Sequence, residues 1–384
     1  MTQSTLPTET KTKRFPRLRR AYWNFVFRMR GAKRRFGYFV DDSRVFWRYS
    51  SHTAALLPRF VQNYIALYRI YTSSFRASPR PKVIVISLTE HMGDIVACEP
   101  VARFVRAQNP DAQIVWVVHK RYRALVEYNP HINHILTVTC LTQWMQLAGL
   151  RLMDQVIDLH LEARSCGTCH IALKKRRGNP EITVDNYYAH GSLQTSFCLG
   201  ADLPPLKQQP QIYFPRNIAQ RIARLNLPER FIVLHTRSND TSRDWLPEHW
   251  RELVKLILAN WHGSIVEVGV TSGIARDQAL ETSARVLNLC GKLEILETAQ
   301  VIQRAQLFIG VDSGPAHLAN ASNVPGIVLL GAYRAFERYM PYDGAYADPL
   351  RADLIRADGP AASIPLERVF AAVMSRVNAS SRAA

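Results

Sequence analysis

No stretch of this sequence is long and apolar enough to cross a membrane. The best candidate, residues 54–71, is interrupted by Arg59 and Arg69, whereas a spanning helix needs about 18 or more mostly apolar residues. The N-terminus also lacks the uninterrupted apolar segment of a secretory signal. We therefore expect a cytoplasmic location.

Motifs of several common enzyme classes are missing as well. The sequence contains no P-loop, no GxGxxG string and no zincin motif. No pair of acidic residues resembles a magnesium site either. The sequence therefore shows none of these phosphate-binding, dinucleotide-binding or metal motifs.

Cysteine is sparse, with six residues in the chain. Cys166-Gly-Thr-Cys169-His170 matches the string for covalent haem attachment, but that reaction requires export. A zinc site requires further ligands, and neither Cys140 nor Cys198 supplies one at a recognisable spacing. We expect reduced thiols, as is usual in a cytoplasmic protein.

Acidic residues are rare in the first part of the chain. Residues 1–82 hold 18 basic and three acidic residues, and they account for most of the net charge of +18. Residues 11–35 contain basic residues interleaved with aromatics and no acid, a pattern typical of segments that lie on anionic membranes. The alternatives are a nucleic-acid contact, which we do not expect, and a helix packed on the body with a solvated basic face.

A regular alternation of strands and helices begins at Lys82. The β-branched run at 83–87 predicts a buried parallel strand, and a helix is predicted from Ile95 to about Gln108. The Pro-rich stretch 203–215 predicts an interdomain linker. The predicted fold class is α/β, with two doubly wound domains facing across a cleft. The predicted domains are a basic helical extension at 1–80, a first α/β domain at 81–212 and a second α/β domain at 213–384.

The stretch 307–331 carries the most informative motif. A buried strand at 307–311 runs into Asp312-Ser313-Gly314-Pro315, with His317 in the helix that follows. Ser313 is expected to cap this helix through its side chain, and Pro315 suits its first position. Free amides at such a helix start can hold a phosphate or diphosphate. The alternative is an ordinary capped helix.

Two further loops follow predicted strands, at the edge where open α/β sheets bind ligands. Glu90-His91-Met92-Gly93-Asp94 offers Asp94 either as a general base or as a simple helix cap, with Glu90 and His91 as weaker candidates. In the second half, His235 is followed by Arg237 and Arg243. These arginines could meet phosphate oxygens, or they could be ordinary surface charges.

Three blocks in the right order resemble family 9 of the glycosyltransferases, the group of the ADP-heptose:lipopolysaccharide heptosyltransferases. They are 86–94 with Pro100, 235–250 and the Asp312-Ser-Gly-Pro-Ala-His317-Leu-Ala turn with the strand after it. The segments starting at Tyr339 and Asp358 also fit the family's tail. The resemblance covers about residues 82–376.

The resemblance implies the GT-B fold and an inverting, metal-independent transfer from a nucleotide sugar. ADP-heptose is the first candidate for this donor. It implies Asp94 as the general base on the acceptor hydroxyl, beside Glu90, His91 and Gly93. The expected donor-binding residues are His235, Arg237, Arg243, Asp312, Ser313, Gly314, Pro315 and His317. The expected acceptor is a surface glycan such as lipopolysaccharide core, built at the inner membrane.

Other functions remain open at this point. The chain could glycosylate a protein or use another nucleotide sugar. It could also be a GT-B enzyme without transfer, such as an epimerase, or a non-catalytic binder of anionic surfaces through residues 11–35.

Overall fold

The computed structural model describes residue 54 and residues 56–382, apart from positions 176, 334, 335, 337 and 338. The basic segment 11–35 and most of the predicted extension 1–80 lie outside the described residues. The chain divides into two units, Met1–Ala55 and Leu56–Ala384. Both parallel sheets lie in the second unit. No helix of the described part has the length and hydropathy that a membrane span requires.

The first half of this unit is a helix followed by a parallel sheet of strand order β3-β2-β1-β4. A helix over 56–74, which we label α1, lies within the range of the predicted extension. The strands are β1 (Val83–Ser87), β2 (Gln113–His119), β3 (His134–Val138) and β4 (Gln155–Asp158). The helices are α2 (Met92–Ala97), α3 (Pro100–Gln108), α4 (Ala124–Glu127), α5 (Leu141–Leu147) and α6 (Leu193–Gly200).

The single helix predicted for 95–108 is wrong in its bounds. The chain forms α2 and α3 instead, separated by Cys98 and Glu99. Pro100 explains the break, because proline lacks the N–H group that would continue the hydrogen bonds of α2. A proline at the first helical position, in contrast, is well tolerated.

The second half is a larger parallel sheet of order β10-β9-β8-β5-β6-β7. Its strands are β5 (Phe231–His235), β6 (Ser264–Glu267), β7 (Val286–Asn288), β8 (Leu307–Val311), β9 (Gly326–Leu330) and β10 (Ala352–Arg356). Its helices are α7 (Ile218–Ala223), α8 (Pro247–Asn260), α9 (Gln278–Glu281), α10 (Ile295–Gln303), α11 (Gly314–Ala321) and α12 (Leu366–Arg382). The sequence pattern did not predict the edge strand β10.

The two sheets confirm the predicted α/β class with two parallel sheets. β1 is buried on both faces, with Ile84 and Ile86 in one apolar cluster and Val83 and Val85 in another, as expected for a parallel strand covered on both sides. The first of these clusters also contains Phe308 of β8. Apolar packing therefore runs from one sheet to the other.

The predicted linker at 203–215 has no regular secondary structure. Gln209 nonetheless ties the two halves together. Its backbone oxygen accepts from Arg103 of α3 at 2.6 Å, and its amide donates to the Asn320 carbonyl of α11 at 2.6 Å. The domain boundary between residues 212 and 213 stays a prediction.

Candidate active site

The acceptor-side loop joins β1 to α2 and places Asp94 in the first turn of that helix. Leu88 and Thr89 are buried, His91 is exposed, and Asp94 is half-buried. Asp94 Oδ2 accepts the His91 N–H at 3.1 Å. The helix thus begins at Met92 rather than at Asp94, and Asp94 closes its first turn. A half-buried carboxylate held this way is oriented but still reachable by a substrate.

A buried polar chain holds the start of this loop. His160 Nε2 lies 3.0 Å from the Thr89 backbone nitrogen and 2.8 Å from the Thr89 hydroxyl. Its other ring nitrogen lies 2.6 Å from Asp158 Oδ1. Asp158, in turn, accepts from the Trp144 indole N–H at 3.1 Å. Because Asp158 fixes the imidazole, His160 presents a fixed acceptor to Thr89 and positions the loop that carries Asp94.

The donor-side turn joins β8 to α11 and buries a carboxylate. Asp312 is 1% exposed. Its Oδ2 accepts from Arg243 Nη1 at 3.2 Å and from the Tyr339 hydroxyl. Its Oδ1 is buried without a hydrogen-bond partner in the described residues. Such an oxygen is costly to leave unsatisfied, which marks it as an acceptor available to a ligand.

Ser313 does not cap α11 in the expected way. Its side chain makes no capping bond, and its hydroxyl donates to the Val311 carbonyl at 3.3 Å instead. The helix begins at Gly314, so Pro315 occupies the second position rather than the first. The side-chain cap predicted for Ser313 is therefore wrong, and the helix start lacks that local partner.

The two helix starts meet across the halves of the molecule, since α2 packs against α11. A methyl group on Gly93 would come within 2.6 Å of His317 Cδ2, and one on Gly314 within 2.0 Å of Met92 Cε. Both glycines are thus required for the close approach. The contact brings the Asp94 loop and the Asp312 turn into one site.

His317 lies at this contact and is buried, at 4% exposure. Its ring packs on Tyr342 with centroids 4.9 Å apart. Burial lowers the pKa of His317, although Asp312 and Asp94 act in the opposite direction. At neutral pH the ring is therefore uncharged, and it can donate one hydrogen bond and accept another.

The β5 loop places the remaining predicted residues. His235 pairs in register with Gly310 of β8 and is buried, with Nδ1 3.0 Å from the Val268 carbonyl. Desolvation lowers the pKa of His235. Arg237 pairs with Asp244 of its own loop at 3.4 Å. Of the two arginines, the structure brings Arg243 to the donor-side turn through Asp312.

Comparison with known proteins shows what this chain is similar to. Residues 191–344 match the family described as glycosyltransferase family 9 (heptosyltransferase). The chain is 24% identical over 287 residues to lipopolysaccharide heptosyltransferase 3 of Escherichia coli, covering 62% of this chain and 81% of the relative. The chain is therefore similar to the heptosyltransferases of glycosyltransferase family 9.

Solved structures share the fold of this chain. A family 9 glycosyl transferase from Veillonella parvula DSM 2008 superposes with a TM-score of 0.57 at 18% identity, covering 77% of this chain and 97% of that one. The E. coli ADP-heptose lps heptosyltransferase II gives a TM-score of 0.52 at 18% identity, over 78% and 99% of the two chains. These likenesses confirm the predicted GT-B architecture.

Three residues of this site were not predicted from the sequence. Tyr339 and Tyr342 reach Asp312 and His317 from a segment recognised only as part of the family's tail. His160 had no signal at all, because its role depends on the pairing of β1 with β4, which brings Ser87 opposite Asp158.

Proposed function

We propose that this enzyme transfers a sugar from a nucleoside diphosphate sugar to a hydroxyl group of a surface glycan such as lipopolysaccharide core. Heptose is the first candidate for the transferred sugar. The observation that carries this is the meeting of the half-buried Asp94 with the buried Asp312 turn. The relatives named above supply the choice of ADP-heptose and of lipopolysaccharide.

Asp94 acts as general base in this reaction. Its carboxylate takes the proton from the acceptor hydroxyl, and the acceptor oxygen forms a bond to the anomeric carbon. The bond from that carbon to the diphosphate breaks, and its electron pair leaves on the diphosphate oxygen. Attack from the face opposite the leaving group inverts the anomeric centre. A positioned base of this kind contributes about 10²- to 10⁴-fold to the rate.

The donor turn stabilises the leaving diphosphate. The start of α11 offers amides and the positive end of a helix dipole, and Gly314 has no side chain to obstruct a phosphate. Arg243 adds a positive charge near the start of α11, and its side chain is 22% exposed. These fixed charges do the work that a metal ion does in other transferases, so added Mg²⁺ is not expected to raise turnover.

Asp312 serves the sugar rather than the phosphates. A carboxylate repels a diphosphate, but its unpartnered Oδ1 can accept a hydrogen bond from a hydroxyl of the donor. Arg243 and Tyr339 hold the other oxygen, so the acceptor oxygen is fixed before the donor arrives. We place His317 beside it as a neutral hydrogen-bonding group.

The test combines donor binding with product formation. Thermal shifts with a panel of ADP-, GDP- and UDP-sugars should single out an ADP-sugar, because a ligand that binds the folded state stabilises it. The same donor should then yield a glycosylated product with heptose-deficient lipopolysaccharide. Epimerised sugar nucleotide in the absence of any acceptor would contradict the transfer function.

We also propose that the enzyme associates peripherally with an anionic membrane on the cytoplasmic side. The outer face of α1 leaves Leu57, Val61, Ile65 and Tyr68 exposed, at 42% to 55%, and α1 carries basic but no acidic residues. This combination fits an interfacial helix, and residues 11–35 would add to it.

Sedimentation with anionic liposomes tests this association. The double variant Ile65→Asp/Tyr68→Asp should bind several-fold less than the wild type. Val270→Asp is the matched control, since Val270 is also an exposed apolar side chain, at 82%. Equal binding of both variants would contradict a role for α1.

A further inference from the structure

Three cysteines from two separate segments come together in the first half of the molecule. Cys140 immediately precedes α5, and Cys166 and Cys169 lie in the long connection after β4. All three are buried, at 1% to 5% exposure. Along the chain, Cys140 has no recognisable ligand spacing to the CxxC pair, and only the folded structure brings the three cysteines together.

The spacing of the sulfurs matches a single bound ion. The three Sγ atoms all lie within 4.8 Å of one another. Zinc–sulfur bonds of about 2.3 Å in tetrahedral geometry place sulfurs about 3.8 Å apart. Small movements of the side chains therefore suffice to bring all three sulfurs onto one ion.

The surroundings donate hydrogen bonds to the sulfurs. The Cys169 amide donates to the Cys166 sulfur, the Ile171 amide to the Cys169 sulfur and the Gln143 amide to the Cys140 sulfur. The Thr142 hydroxyl also contacts the Cys169 sulfur. Donors in this position can orient the sulfurs toward a shared ion.

We propose that Cys140, Cys166 and Cys169 form a zinc site, outside the active site and separate from the transfer reaction. Thiolates favour thiophilic ions such as Zn²⁺. The described residues supply three ligands, and a water molecule completes the tetrahedron. Gly167 and Thr168, between the two cysteines of the pair, are exposed, which gives the ion a path of entry.

The ion would have a structural role and hold two segments of the chain together. The connection between β4 and the turn at Tyr187–His190 has two isolated bridge pairs, Glu162 with Thr183 and Ser165 with Ala172. Connections longer than about 15 residues without regular structure are uncommon in compact domains. Zinc ligation at Cys166 and Cys169 would fasten this connection to Cys140 at the start of α5.

Metal analysis of the full-length protein tests the site. Protein purified under reducing conditions without immobilised metal should contain near-stoichiometric zinc. The variants Cys140→Ser and Cys166→Ser should each lower the zinc content at least ten-fold. Cys198→Ala is the matched control, because Cys198 is equally buried but lies outside the cluster; it should keep its zinc.

Cobalt substitution keeps the test decisive if a serine variant does not fold. Co²⁺ added to the reduced, zinc-depleted wild type should produce the intense thiolate-to-cobalt absorption and the visible bands of a tetrahedral site. Absence of zinc together with absence of these bands would overturn the assignment. A disulfide between any two of the three cysteines in the protein as purified would overturn it as well. Neither result would affect the transferase function.

Discussion

The acceptor-side loop and the donor-side turn have the same local design but opposite environments. Each follows a buried parallel strand and places an aspartate at the start of a helix. Asp94 is half-buried and is held by one backbone N–H. Asp312 is buried against Arg243 and Tyr339, with one oxygen unpartnered. The difference suits a base that must exchange a proton on one side and a fixed anchor for the donor on the other.

The largest effect is expected at Asp94. Asp94→Asn keeps the shape of the side chain but removes the base, so kcat should fall about 10³-fold, while the Kd of the nucleotide sugar stays within about two-fold. Steady-state kinetics and titration calorimetry measure the two quantities. Asp111→Asn, at an exposed carboxylate of the same domain, is the control. A loss in kcat of less than ten-fold for Asp94→Asn would remove Asp94 as the base.

In stability, the larger loss is expected at Asp312 rather than at Asp94. Asp312→Ala leaves the Arg243 charge without its partner in a desolvated place, so the free energy of unfolding should fall by about 3 kcal/mol. Asp94→Ala should cost about 1 kcal/mol or less, because its carboxylate is half-exposed and makes one bond. Urea unfolding of both variants measures the contrast. Equal losses would mean that the two aspartates are not differently embedded.

A third effect should separate positioning of the base from binding of the donor. His160→Ala removes the acceptor for Thr89, so the Asp94 loop loses its anchor and kcat should fall about 30-fold, with donor Kd unchanged. His160→Gln places an acceptor near the same point and should recover part of the loss. His190→Ala, at an exposed histidine, is the control. A parallel rise in donor Kd would indicate a general structural defect instead.

The smallest effect concerns pH. Burial lowers the pKa of His317 in the folded protein, whereas the unfolded chain binds a proton near pH 6.5. Below that pH unfolding takes up a proton, so stability falls as the pH drops toward the folded pKa, by at most about 1.4 kcal/mol per pH unit. His317→Gln should flatten the slope of unfolding free energy between pH 7 and pH 5. His262→Gln, at an exposed histidine, should leave the slope unchanged.

Strands and turns of this molecule were predictable where the local pattern is strong. The buried runs of β1 and β8 form strands as expected. β10 was missed, because Asp353 and Arg356 interrupt its short apolar run and only Ala352 and Ile355 are buried. The helix predicted across Pro100 shows that periodicity alone does not override a proline.

By itself the sequence determined the two parallel sheets, the order of the loops at their edges and the identity of Asp94, Arg243, Asp312 and His317 as the residues to examine. Those features depend on local hydrophobic patterns and short motifs. Only the tertiary structure decided that Gly93 touches His317, that Tyr339 and Arg243 share Asp312, and that Cys140 joins Cys166 and Cys169. Such contacts join residues far apart in the chain, and strand order and helix packing bring them together.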